Sequence, residues 1–320
     1  MRNEGPFIVE WVSWYRMLGF TDVVVVSNDC TDHSVDLLDA LERAGWAHHI
    51  RCDVPEGQPI TPRKLKAAQG HPAVRGADWV MVCDVDEFLV IHRGAGLIGD
   101  LLQVATDPAT IGISINWKVF GTSGRKEFED APVHQQFLYA SPREHGSSDS
   151  IKSIFRHADR FQHLGEHGPR GLVPEYLAQP MVWITAQGKQ VTDWNPDGPY
   201  MRATPQALTS HKVAQINHYM LRSEETFSLK YRTPSPVALR NRYTRWYFKR
   251  ANSGEEMDAS AFRYADAFAA MQAQAMALPD VARLHHLCCA DHIRLICEKA
   301  GKVAAEDPRY QAFLDLAAGP

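Results

Sequence analysis

Residues 79–88 read Trp-Val-Met-Val-Cys-Asp-Val-Asp-Glu-Phe. An apolar run stops at two aspartates one residue apart, Asp84 and Asp86, with Glu87 next. Five apolar residues ahead of the acids predict a strand buried on both faces, as in a parallel sheet. In open α/β sheets, ligands bind at the carboxyl ends of strands. Carboxylates there are costly to bury unless something positive satisfies them. A divalent cation that also holds a diphosphate meets that need, because Mg²⁺ and Mn²⁺ take hard oxygen ligands. The competing reading is a strand end followed by an acidic turn.

Upstream, Phe7, Ile8, Trp11, Val12, Tyr15 and Leu18 recur at helical spacing, and Gly19 stops that helix. Asp22 to Ser27 holds four consecutive valines, a short buried strand. The polar loop Ser27 to Ser34 can cap a helix from about Val35 to Ala44. His48 to Arg51 is a third strand candidate, residues 53–63 are a Pro/Gly-rich loop, and Lys64 to Gln69 reads as helix. Helix, strand, helix, strand, helix, strand predicts a doubly wound α/β domain.

Downstream, Ile111 to Phe120 alternates like a half-exposed strand, and residues 141–150 read as a loop. Lys152 to His157, Val182 to Thr185 and Ala214 to Tyr219 are further strands, with Asn195 to Pro199 a strong turn signal. From about Glu224 the pattern is helical through Leu316.

The chain has 320 residues, 45% hydrophobic and 22% charged, an ordinary globular composition. A net charge of −4 offers no broad basic surface for nucleic acid. No stretch approaches a membrane-spanning run, and no apolar signal segment follows Met1. The six cysteines show no C-x-x-C pair and no disulfide-scaffold spacing. These features lead to the expectation of a reduced, cytoplasmic protein, compatible with contact at the inner face of the membrane.

Several ordered pieces join the acidic stretch. They are Arg2-Asn3-Glu4-Gly5-Pro6-Phe7-Ile8-Val9-Glu10-Trp11, the loop Ser27 to Asp32, Trp117 to Gly121, Lys152 to Arg156, and Asn217-His218-Tyr219 followed by Ser223, Phe227 and Lys230. Together they resemble the GT-A glycosyltransferases, in particular the family-2-like bacterial group, and are similar to family 92. The resemblance runs over roughly residues 2–260. It implies a Rossmann-like, doubly wound, mostly parallel sheet. A nucleotide-binding half at about 1–120 and an acceptor half at about 121–235 would form a domain at 1–235, with a helical extension at 236–320.

The resemblance also implies a metal-dependent, inverting transfer of a sugar in polysaccharide biosynthesis. The donor would be a nucleoside-diphosphate sugar, UDP favoured, and the acceptor a saccharide or lipid-linked saccharide, with Mn²⁺ or Mg²⁺ as cofactor. Carried onto this chain, Asn28 and Asp29 meet the nucleoside, with Asn3, Glu4 and Asp32 in the same donor region. Asp84 and Asp86 match the metal and diphosphate motif, Asp86 foremost. His218 is a third metal ligand or a strand-end cap. Lys152 and Arg156 are candidate phosphate clamps. Glu129 and Asp130 are candidate bases, Asp130 preferred and Asp149 next; a solvated charge cluster is the plainer reading.

Three departures stand out. His33 replaces a glycine usual in relatives, and Gln135 a glutamate. The family also has an apolar strand ahead of Arg2; its absence would leave open strand edges, with Met1 not the natural start. Among other signals, His285, Cys289 and His292 share a helical face that zinc would accept, but Leu284, Leu287, Ile293 and Ile296 favour a core helix. His163, His167 and Arg170 form a polar loop, and His167 suits a sugar or acceptor site. The basic aromatic segment Arg240 to Arg250 suits a diphosphate, a lipid-linked acceptor or a membrane surface, or is a solvated helix face. Two competing functions are a degenerate, non-catalytic nucleotide-sugar or glycan binder and a haloacid-dehalogenase-like phosphatase. The latter is disfavoured by Phe88.

Overall fold

The computed structural model describes residues 1–195, 201–235, 241–252 and 254–319. Pro199 and Arg240 therefore lie outside the described residues, as does most of the Asn195 to Pro199 turn. The first half runs α1 (Gly5–Met17), β1 (Val24–Ser27), α2 (Ser34–Arg43), β2 (His48–Arg51), α3 (Ile60–Gly70), α4 (Pro72–Arg75), β3 (Val80–Met81), β4 (Glu87–Ile91), α5 (Ile98–Leu102) and β5 (Thr110–Val119). It continues α6 (Val133–Gln136), β6 (Tyr139–Ala140), β7 (Ile151–Phe155), β8 (Phe161–Leu164), β9 (Pro169–Leu172), β10 (Val182–Thr185) and β11 (Ala214–His218). The C-terminal part is α7 (Glu224–Lys230), α8 (Arg245–Ala251), β12 (Glu256–Met257), α9 (Ala265–Met276), α10 (Val281–Ala300) and α11 (Pro308–Ala318).

The architecture is mixed α/β with C-terminal helices. The main sheet has the order β3-β7-β5-β11-β4, and β10 also lies beside β5. β5 pairs parallel with β10 and β11, whereas β3–β7, β7–β5 and β11–β4 are antiparallel. β1 and β2 form a separate parallel pair. The backbone of Met1 lies along the other edge of β1: its amino group donates to the Val26 carbonyl, and the Asn28 N–H donates to the Met1 carbonyl.

Two sequence expectations need correction. The Trp79–Cys83 run is strand only at Val80–Met81; Val80 is buried, but Met81, Val82 and Cys83 are half-buried because one side of the run opens onto a cavity. The fully buried strand is β4, which begins at Glu87 just after the aspartates. Similarly, β5 is buried on both faces rather than half-exposed. Trp183 lies over its Gly112, where an added Cβ would come within 2.4 Å of the ring, and donates from Nε1 to Ser114 Oγ at 2.8 Å.

α1 is a core helix, buried on nearly every side. Pro6 suits its first turn, where an N–H has no helical partner, and Gly19 at φ 93° follows its end. Trp14 is fully buried among Phe88, Tyr264 and Phe268 and donates to the Leu89 carbonyl at 2.9 Å. α9 and α10 pack against α1, and α10 also against α2 and α11. The C-terminal helices thus share the core of the N-terminal half.

Candidate active site

The loop between β3 and β4 carries Asp84 and Asp86 into a cavity of about 1380 Å³. Asn3, Glu4, Asn28 and His218 line the same cavity. The loop is held from below. Asp84 N–H donates to Glu87 Oε2 at 2.9 Å, and Trp11 Nε1 donates to the Asp84 carbonyl at 3.0 Å. The Tyr219 N–H donates to the Asp86 carbonyl at 2.8 Å, which docks the loop on the end of β11.

Each aspartate has its own lysine. Lys152, on β7, lies 2.9 Å from Asp84 Oδ2 and 2.8 Å from Glu87 Oε2. Lys230, at the end of α7, lies 3.2 Å from Asp86 Oδ2 and 3.8 Å from Glu4 Oε1. Desolvation in the cavity works to raise both aspartates, although the Asp84 side chain is 61% exposed, and the cations outweigh it. Lys152 holds Asp84 below the usual carboxylate range, and Lys230 with His218 holds Asp86 well below it. Lys152 itself is held charged, because Asp84 and Glu87 overcome the cost of its burial.

His218 Nε2 lies 3.5 Å from Asp86 Oδ1, and its Nδ1 lies 3.7 Å from Glu87 Oε1. Those last two atoms are buried with no hydrogen-bond partner. Two carboxylates, an imidazole and an orphaned carboxylate oxygen suit a divalent cation such as Mn²⁺. Asp86 and His218 already stand at ligand-pair spacing, while Asp84 is turned toward Lys152.

Sequence reasoning assigned no role to Arg222, Glu166 or Trp117 here, whereas His167 was expected at a sugar or acceptor site and lines the cavity. Arg222, just after β11 at φ 54°, lies 2.6 Å from Glu4 Oε2 and stacks over Phe7. Glu166 lines the cavity, and burial followed by the charge of Asp84 raises its carboxyl. The adjacent His167 bonds the Ile151 carbonyl at 2.7 Å; burial and then Lys152 lower it to about 4. Trp117 stands edge-on to His218 with ring centres 4.3 Å apart. Lys230 was part of the resemblance, but nothing in its spacing marked it as Asp86's partner.

Other expected site residues are placed elsewhere. Lys152 sits beneath Asp84, not on the cavity wall. Arg156 stacks on Trp79 on another face. Asp29 accepts from the Asn28 amide, and Asp32 accepts from Ser34 at the start of α2. Neither lines the cavity. Nor do Glu129 and Asp130. Glu129 pairs with Arg125, and both oxygens of Asp130 face His285 Nε2, at 3.0 and 3.1 Å. The loop bearing them folds onto α10, away from the aspartate pair. Asp149 does not line the cavity either; its backbone carbonyl accepts from Asn116 and Thr204. Among the described residues, one group of three possible metal ligands stands within 4.8 Å, and it is Asp130, His285 and Cys289.

No curated protein and no solved structure matches the chain. A family model, glycosyltransferase family 92, matches residues 3–257, which take in the cavity's aspartates, His218 and Lys230. A match over most of the chain, on residues that converge in space, makes this protein a glycosyltransferase belonging to family 92.

Proposed function

We propose that this glycosyltransferase is of GT-A type. It takes a sugar from a nucleoside-diphosphate donor, UDP favoured, and passes it with inversion to a saccharide or lipid-linked acceptor. The observation that carries the reading is the meeting of Asp86, His218 and Lys230 at one wall of the large cavity. Asn3 and Asn28 at the cavity edge suit the polar edges of a nucleoside. Arg222 and Lys230 bring positive charge to the place where a diphosphate would leave.

Asp84, Asp86 and His218 would hold Mn²⁺ or Mg²⁺, which supplies Lewis-acid neutralisation of the leaving diphosphate. The protein supplies the rest. Lys152 fixes Asp84 from below, and Lys230 fixes Asp86 from the side. The acceptor hydroxyl attacks the anomeric carbon as the bond to the diphosphate oxygen breaks. Its proton passes to a carboxylate. We assign that role to Glu166, since Asp130 is engaged by His285 outside the cavity. Burial strengthens Glu166 as a base by raising its proton affinity.

Calorimetric titration with UDP, GDP and their sugars, with and without Mn²⁺, tests the reading on the wild type and Asp86→Ala. Mn²⁺-dependent binding that disappears in the variant supports it. No binding by a folded wild type would leave a degenerate scaffold instead.

A further inference from the structure

We propose that Asp130, His285 and Cys289 form a second metal site, outside the aspartate cavity, which takes zinc and ties the loop between β5 and α6 to α10. Both oxygens of Asp130 lie at His285 Nε2, at 3.0 and 3.1 Å, and Cys289 Sγ lies 3.7 Å from the same nitrogen. The three ligand atoms all fall within 4.8 Å of one another. A tetrahedral zinc, with bonds of about 2.0 Å to nitrogen and oxygen and about 2.3 Å to sulfur, sets N···O at about 3.3 Å and N···S at about 3.5 Å. The spacings in this cluster come within a few tenths of an ångström of both. His285 and Cys289 stand one turn apart on α10, so they share a face.

The arrangement is not that of a proton relay. A relay puts the nucleophile on one ring nitrogen and the carboxylate on the other. Here both groups crowd Nε2, while Nδ1 is buried with no hydrogen-bond partner among the described residues. Nε2 carries at most one proton, and one proton cannot serve all three groups. One cation can.

Charge also balances. Cys289 is fully buried and His285 is 4% exposed, so an uncompensated ion there would be costly. Zinc binding releases the Sγ proton to solvent. The thiolate and the carboxylate then cancel the double charge of the ion, and the imidazole stays neutral. The Asp130 side chain is 29% exposed, which lets water reach a fourth position. Sulfur and imidazole favour zinc over Mg²⁺, which takes hard oxygen ligands.

Asp130 is delivered by contacts outside the cluster. The Phe128 N–H donates to Glu225 Oε2 and the Val133 N–H to Glu10 Oε1, each at 2.8 Å. Arg309 Nη1 donates to the Phe128 carbonyl at 3.2 Å. The loop is thus pinned on both sides of Asp130, which lowers the cost of ordering a ligand set. His292, grouped with His285 and Cys289 by sequence spacing, faces Thr226 instead.

The test titrates Co²⁺, a spectroscopic stand-in for zinc, into the full chain and into Asp86→Ala, which lacks a carboxylate of the cavity. A thiolate-to-cobalt charge-transfer band that saturates near one equivalent is expected in both, and Zn²⁺ should bleach it. The band should vanish in Cys289→Ala. In Asp130→Ala, a change on a partly exposed loop that leaves the core intact, cobalt affinity should fall at least about tenfold. In the Asp86→Ala background, saturating Zn²⁺ should raise the melting temperature by about 5 °C, and adding Asp130→Ala should remove that rise. A folded chain without the band would overturn the proposal. So would a band that survives Cys289→Ala, full affinity in Asp130→Ala, or a band lost with Asp86→Ala. A band with no change in melting would overturn the tie between loop and helix.

Discussion

Lys152 Nζ lies 2.8 Å from the Glu87 carboxylate, and the two side chains are 1% and 0% exposed. This buried pair is the floor on which Asp84 rests. Replacing Lys152 by Met leaves a buried carboxylate with no cation, a change that costs about 3–5 kcal/mol. Urea unfolding should show that loss, and Lys152→Met with Glu87→Gln should recover much of it. A single variant as stable as wild type would mean that Glu87 is neutral in the folded protein.

Asp86 and Asp130 should separate cleanly in activity. Asp86→Asn is expected to lower turnover at least about 100-fold, because the divalent cation that would neutralise the leaving diphosphate loses a carboxylate ligand. Asp130→Asn should keep donor binding and most of its turnover, since its carboxylate faces His285 rather than the cavity. A radiolabelled sugar-transfer assay checks both. Abolished turnover in a well-folded Asp130→Asn would return the base to that residue.

Glu166→Gln should leave donor affinity nearly unchanged and lower kcat by about 10²–10⁴-fold. The readout is kcat against KM for the acceptor, with the donor titrated separately. Loss of donor affinity with kcat intact would make Glu166 a binding group and not a base.

His292 predicts an acid-side stability slope. It is buried between Phe7 and Phe128, and its Nε2 lies 3.2 Å from the Thr226 hydroxyl. Burial, then Arg222, lowers its pKa from 6.5 to about 3. Between those values the unfolded chain binds the proton and the folded chain does not. The stability is therefore present above pH 6.5 and is lost as pH falls toward 3. Unfolding free energy should drop by about 2 kcal/mol from pH 6.5 to 5 through this group. Urea midpoints at three pH values check it; His292→Gln should be flatter, and identical slopes would contradict the assignment.

Gly112→Ala places a methyl group 2.4 Å from the Trp183 ring, inside a strand buried on both faces. A loss of about 1–3 kcal/mol is expected from overpacking, measured by urea unfolding. An unchanged midpoint would show that Trp183 can move aside.

Much of this protein was legible along the chain. Helical spacing marked α1, valine runs marked β1, and β7, β10 and β11 stood where their apolar segments predicted. The aspartate pair could be named because its two acids sit one residue apart after an apolar run; His218 was named only through the family resemblance. Local patterning carries these features, since helix and strand periods are set by the nearest neighbours. Other features were not legible. The Trp79–Cys83 run reads as a buried strand, yet only the tertiary structure shows that its side opens onto the cavity. Lys152 meets Asp84 across 68 positions, and Arg222 meets Glu4 across 218. The sheet order places those cations, and no spacing in the chain encodes it. Asp130 illustrates the reverse: it looked like a base by order along the chain, but packing on α10 carries it to His285. Residue type and local period determined which groups could do the chemistry. Only the folding of distant segments against one another decided which carboxylates and cations meet in one cavity, because opposite charges matter only at the few ångströms that tertiary contact brings about.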